Sequence, residues 1–114
     1  MKGDSLYLRH ILDCITRIEE DTADGLERFM ASHMLQDAVL RNLQVMAESS
    51  HRLSDAIKAS QATVEWRKIV AFRNVLVHDY LGIDLEAVWG ITQHEVPSFK
   101  RAVLEMLTKN GDDE

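Results

Sequence analysis

The stretch from Trp66 to Leu81 reads W-R-K-I-V-A-F-R-N-V-L-V-H-D-Y-L, and it holds the side chains best suited to chemistry: Arg73, Asn74, His78 and Tyr80. Arginine offers a planar fork that grips a phosphate through two hydrogen bonds and keeps its charge at physiological pH. Histidine titrates near neutrality and can move a proton. Together they suit cleavage of RNA without a metal ion, in which the 2′-hydroxyl attacks the adjacent phosphate. Arg73 would stabilise the extra negative charge of the pentacoordinate state. Asn74 would orient a phosphate oxygen or the imidazole, and His78 would serve as base or acid. Spacing alone leaves a plainer alternative open, in which Arg73 pairs with Asp79 or Glu65 and His78 merely stands at a helix end.

Other chemistries find less support. His10, His33, His51 and His94 are scattered, with no H-x-x-x-H pair and no carboxylate at ligand spacing on the same face, so they read as surface or capping residues and no metal site is expected. There is no Gly-rich phosphate loop, no G-x-S-x-G elbow and no pair of inward carboxylates at helical spacing, and no cofactor is expected. Trp66 and Trp89 could stack a base, yet each sits on an apolar stripe, and packing is the preferred reading. The methionines, Met30, Met34, Met46 and Met106 among them, read as core filler. Cys14 is the one cysteine, so no intrachain disulfide can form, and it reads as a buried structural thiol.

The elements that must position the central residues follow from periodicity. At about 100° per residue, Ile69, Phe72 and Leu76 share an apolar arc, while Arg73, Asn74, Val77, His78 and Leu81 take the other side, with Tyr80 beside Arg73. Asn74 and His78 stack one turn apart. Residues 1–4 read as a polar lead, with Asp4 or Ser5 as N-cap. Leu8, Ile11, Leu12, Ile15 and Ile18 then mark an amphipathic helix from Ser5 to about Asp21. A turn over Thr22 to Gly25 and a short helical turn from Leu26 to Ala31 follow. Ser32 is positioned to cap one long helix from His33 to about Ala59, and Ser60 to Thr63 form a polar break. The Trp66 helix frays near Tyr80, ahead of the terminator Gly82. Asp84 caps a last helical segment, which Pro97 kinks or restarts and which continues to about Lys109.

Four to five helices joined by short turns indicate an all-α antiparallel bundle. It forms a single domain over residues 1–114, with a short disordered acidic tail at 110–114. The chain has 114 residues and 46% hydrophobic content, with one proline and five glycines, in keeping with ordered helices. Its net charge of −6 argues against a general nucleic-acid coat protein, whose binding needs basic surface. It still allows a phosphate held in a local basic notch, and Arg67, Lys68 and Arg73 make the central stretch locally positive. There is no run of eighteen apolar residues and no signal-peptide pattern, so the expectation is a cytoplasmic protein with no membrane contact.

The string R-N-V-L-V-H-D-Y resembles the R-x4-H-x-Y motif of HepT-like toxins, all-helical ribonucleases of the HEPN (higher eukaryotes and prokaryotes nucleotide-binding) superfamily. The likeness extends along the chain: Y-L-R-H-I-L-D-C-I-T-R-I-E resembles the family's first helix and Q-D-A-V-L-R-N-L-Q-V-M-A-E-S its second, where the family usually has Ile-Gly in place of Met46-Ala47. V-E-W-R-K-I-V-A-F-R-N precedes the motif, and D-L-E-A-V-W-G-I with Val96-Pro97 resembles the last helical segment. A proline common before the Trp66 region is replaced here by Ala62 to Val64, which touches a helix start and leaves the motif intact. The resemblance implies that Arg73 and His78 are catalytic, with Asn74 supporting. It also implies a partner, a minimal nucleotidyltransferase antitoxin that transfers AMP from ATP onto the motif tyrosine, here Tyr80. The system would be a type VII toxin–antitoxin pair. Some members of the superfamily act only as binding modules, so the rival expectation is a catalytically silent nucleotide-binding module that positions a nucleotidyltransferase.

In-line cleavage needs a base for the 2′-hydroxyl and an acid for the leaving 5′-oxygen, and each motif supplies one His. A homodimer with its two-fold axis beside the motif helix would bring two Arg73–His78 pairs into one cleft. Val77 and Leu81, with Trp89, are the residues expected to meet the partner chain.

Overall fold

The computed structural model describes the backbone of residues 2–78 and 84–111 and the side chains of residues 3–73 and 84–110. Most of the described residues are helical, and the helices form a bundle. In chain order the helices are α1 (Lys2–Thr22), α2 (Leu26–Ala31), α3 (His33–His51), α4 (Asp55–Ala59), α5 (Trp66–His78), α6 (Leu85–Gly90) and α7 (Val96–Gly111), with a π-helical turn over Ile91–Glu95. α1 is the central element: it packs along α3 on one side and α7 on the other, and α3 in turn carries α5.

Apolar spacing decides these faces. Leu8, Ile11, Ile15 and Ile18 recur at three- and four-residue steps along α1, and each is at most 1% exposed. They meet Val39, Leu43 and Met46 of α3 and Val103 and Met106 of α7 in one cluster. Each such side chain contributes about 1.5–3 kcal/mol through burial. α5 joins the same core through Ile69 and Phe72, the described members of its apolar arc; the side chain of Leu76 lies outside the described residues.

Local capping chemistry sets several helix starts. Ser32 Oγ accepts a 3.2 Å bond from the Leu35 amide at the start of α3, and Asp84 Oδ1 accepts one of 3.1 Å from Ala87 at the start of α6. Gly25 takes the φ of 94° that the α1–α2 turn requires, a value L side chains adopt reluctantly.

The structure corrects the sequence at four places. The long helix expected from His33 to Ala59 stops at His51, and α4 begins afresh at Asp55. Two forces divide it. The amides of Arg52 and Leu53 turn back onto the carbonyls of Ser49 and Ser50, and Ser54 caps α4 through a 3.2 Å bond from Ile57. Ser54 is itself held by Asp4, whose carboxylate accepts its amide at 2.9 Å and its hydroxyl at 2.7 Å. Asp4 is therefore not an N-cap in a polar lead. It lies buried in the first turn of α1, as does Ser5.

α7 runs on to Gly111, two residues into the stretch assigned to an acidic tail, because Asn110 donates a 2.8 Å bond to Ser5 Oγ; residues 112–114 lie outside the described residues. Lastly, Met46 and Met106 are buried as core filler, but Met30 and Met34 are exposed.

Pro97 stands second in α7, where α geometry resumes after the π turn. It lacks an N–H to donate and its ring crowds the carbonyl four residues back. The turn ahead of it widens to π geometry, with the Val96 amide reaching back to the Ile91 carbonyl.

Candidate functional site

α5 is anchored at its beginning and carries its polar residues toward its end. The anchor is Trp66, whose indole N–H is shared between the carbonyls of Lys58 (3.1 Å) and Gln61 (3.2 Å). Its ring meets Phe99 of α7 edge-on, with centroids 5.7 Å apart. Trp66 is thus a packing residue. Trp89 likewise lies against Phe29, 5.5 Å between centroids, which gives it a role within the chain besides the one expected at a partner interface.

From this anchor the helix continues through Arg73, Asn74 and His78 without interruption. The side chains of Asn74, Val77 and His78 lie outside the described residues, as do Asp79, Tyr80 and Leu81 altogether. Arg73 is described. Its Nη1 donates a 2.8 Å bond to Glu48 Oε2 on α3, and the pair is one-third to two-fifths exposed. Of the two partners the spacing offered, Glu65 stands just ahead of α5, and its carboxylate makes no ion pair among the described residues; Asp79 lies outside them. Glu48 is the residue that sequence reasoning missed.

Glu48 collects positive neighbours. Arg52, one turn on, places Nε 3.6 Å from its other oxygen. The hydrogen bond from Arg73 holds the Glu48 carboxyl below its ordinary range, against the opposing effect of desolvation, and the charges of Arg73, Arg52 and His51 act in the same direction as that bond. The carboxylate is therefore ionised at neutral pH and pins one edge of the Arg73 fork. A guanidinium with one N–H fixed has lost most of its rotamer freedom, and its remaining donors point from a set position.

The positive stretch expected at Arg67, Lys68 and Arg73 is partly cancelled. Lys68 Nζ lies 2.7 Å from Glu95 in the π turn, and that hydrogen bond raises the lysine and lowers the carboxyl. Arg67 is exposed and makes no ion pair or side-chain hydrogen bond among the described residues.

The remaining candidates are placed plainly. Cys14 is buried, and burial pushes its thiol up, away from nucleophilic use. His10 stands edge-on to Tyr7, 6.4 Å between centroids. Among the described residues no group of three His, Cys, Asp or Glu side chains could hold a metal ion. No helix there is long and apolar enough to cross a membrane.

Comparison with known proteins points to one family. The profile of the family described as Ribonuclease HepT-like matches residues 11–106. A protein of Methanocaldococcus jannaschii, named as a γ-glutamylcyclotransferase joined to a candidate RNase, is 32% identical over 93% of this chain. The chain spans about half of that relative, 48% of its length. A protein of Thermococcus cleftensis named probable ribonuclease HepT is also 32% identical, over 82% of this chain and 86% of its own length. The mRNA nuclease HepT of Shewanella oneidensis is 26% identical, over 79% of this chain and 85% of its own. No solved structure matches the chain.

Proposed function

The chain belongs to the Ribonuclease HepT-like family, and on that premise we propose that it is a metal-independent endoribonuclease, the toxin of a type VII toxin–antitoxin pair acting in the cytoplasm. The observation that carries the reading is the mounting of the motif. Arg73 and His78 lie five residues apart on one continuous helix, and the guanidinium is pinned to α3 by Glu48. The names of the relatives support RNA as the substrate.

In this reading the 2′-oxygen of one nucleotide attacks the adjacent phosphorus as it loses its proton, and the 5′-oxygen leaves with a proton gained. His78 serves these transfers as base or acid, Arg73 stabilises the pentacoordinate charge and Asn74 supports the phosphate. With RNA, EDTA and purified chain, Arg73→Ala or His78→Ala lowers cleavage by about 10²–10⁴-fold while the helical signal in circular dichroism stays. Cleavage by either variant at the parent's rate removes the catalytic assignment, and dependence on a divalent ion removes metal independence.

Silencing follows from charge and bulk. A nucleotidyltransferase partner transfers AMP from ATP to the Tyr80 phenol, whose oxygen attacks the α-phosphorus as pyrophosphate leaves. The adduct sets a bulky anion beside Arg73 and His78. Mass spectrometry of the co-expressed pair places AMP on a peptide containing Tyr80, and an adduct found on Tyr7 alone refutes this.

The rival reading, a catalytically silent nucleotide-binding module, draws on one observation: Glu48 already occupies part of the Arg73 fork. Growth arrest on inducing the chain by itself separates the two, since a silent module leaves growth unchanged.

A further inference from the structure

A groove of about 340 Å³ opens beside the first half of α5, lined by His51, Lys58, Trp66, Arg67, Val70 and Ala71. Its lining includes two full cations and a histidine and no carboxylate, in a chain whose net charge is −6. The other grooves described bring a carboxylate with their cations: Glu65 and Glu95 beside Lys68, Asp13 beside Arg17 and Arg41, and Asp4 beside Lys109.

The walls are tied together. Lys58 accepts the Trp66 indole N–H at its carbonyl and extends its ammonium to the His51 carbonyl at 3.4 Å, so one residue links the end of α3, α4 and the start of α5. The helix that lines the groove also carries the motif. Arg67, Ala71, Asn74 and His78 occupy register positions along one stripe of α5. The rise from residue 67 to residue 73 is about 9 Å, within about three nucleotide steps at the stacked spacing of about 3.4 Å. On the α3 side, His51 stands one turn beyond Glu48, the partner of Arg73.

We propose that this groove holds the flanking, uncleaved nucleotides of a single-stranded RNA, with Lys58 and Arg67 on its phosphates. The inference rests on the ribonuclease reading and supplies the substrate track that reading lacks. A strand bound along it runs beside α5 and presents its next phosphate to Arg73 and His78. In this arrangement Lys58 and Arg67 engage phosphates and neither reads a base edge, so the track selects strand and charge and is indifferent to sequence.

The test uses a fluorescent single-stranded RNA and the full chain carrying His78→Ala, so that binding is read without cleavage. Adding Lys58→Ala and Arg67→Ala weakens binding about tenfold. It also lowers the slope of log affinity against log salt by about 1.4, the value for two phosphates on a single strand. Lys100→Ala, which removes a cation paired with Glu19, leaves both quantities in place, and circular dichroism checks that every variant is folded. Equal affinity and slope in the double variant overturn the track even if the parent chain cleaves RNA. So does an absence of RNA binding by the His78→Ala chain itself. Retained RNA binding with lost binding of an acidic protein assigns the cations to that protein and likewise overturns the inference. Cleavage by the parent and its loss in His78→Ala judge the ribonuclease reading separately.

Discussion

Arg73 is shared between a carboxylate it already holds and the phosphate proposed for it, and the 2.8 Å bond to Glu48 determines how. The pair is partly exposed, so it contributes at most about 1 kcal/mol to folding; its larger effect is to orient the fork. The sign of its pH dependence follows from the lowered Glu48 carboxyl. A group depressed in the folded state lends stability above its unfolded value, near 4.3, and loses it as pH falls through the folded one. Glu48→Gln is therefore expected to cost up to about 1 kcal/mol at pH 7. The gap to the parent chain stays level down to about pH 5 and closes in stronger acid. Urea unfolding of both chains between pH 3 and 8 measures it, and a gap that widens on acidification contradicts the assignment. The sequence exposed Arg73 and hid its partner, because Glu48 stands 25 positions away on another helix and no local pattern marks it.

The elements were legible wherever a local signal set them. Ser32 and Asp84 cap as their residue types require, and the three- and four-residue rhythm of Leu8, Ile11, Ile15 and Ile18 is the buried face of α1. The end of α3 was not legible, since Leu53 and Ile57 prolong its apolar rhythm and both are buried. What breaks the helix is Asp4, which holds Ser54 from 50 positions away. The same limit applies to Asn110, drawn out of an apparent tail by Ser5. Pro97 shows the opposite case. Its chemistry is local, yet a helix can answer a proline by kinking, restarting or widening, and periodicity does not choose among them. For function the consequence is a rigid mount: α5 begins at a doubly bonded Trp66, is tied to the π turn by Lys68 and Glu95, and is tied to α3 by Arg73 and Glu48.

At the scale of the whole molecule, the elongated bundle, 44 × 26 × 21 Å, offers one motif helix per chain, and in-line cleavage asks for two proton-transfer groups. His78 can fill one role at a time. If two chains meet beside α5, their motifs share a cleft, and the second chain supplies the missing acid or base. The side chains of Val77 and Leu81, the apolar residues expected at such a contact, lie outside the described residues, so activity is the sharper measure of this arrangement. Mixing Arg73→Ala chains with His78→Ala chains gives a population of mixed dimers in which one chain keeps its arginine and the other its histidine. If each shared cleft draws its Arg and His from opposite chains, or needs one such pair only, those dimers regain some cleavage while either variant alone stays inactive. Regain should rise with total protein concentration, as association requires. A protein that is monomeric at micromolar concentration and cleaves RNA at full rate there refutes the shared cleft, and the second proton transfer must then come from solvent or from within one chain.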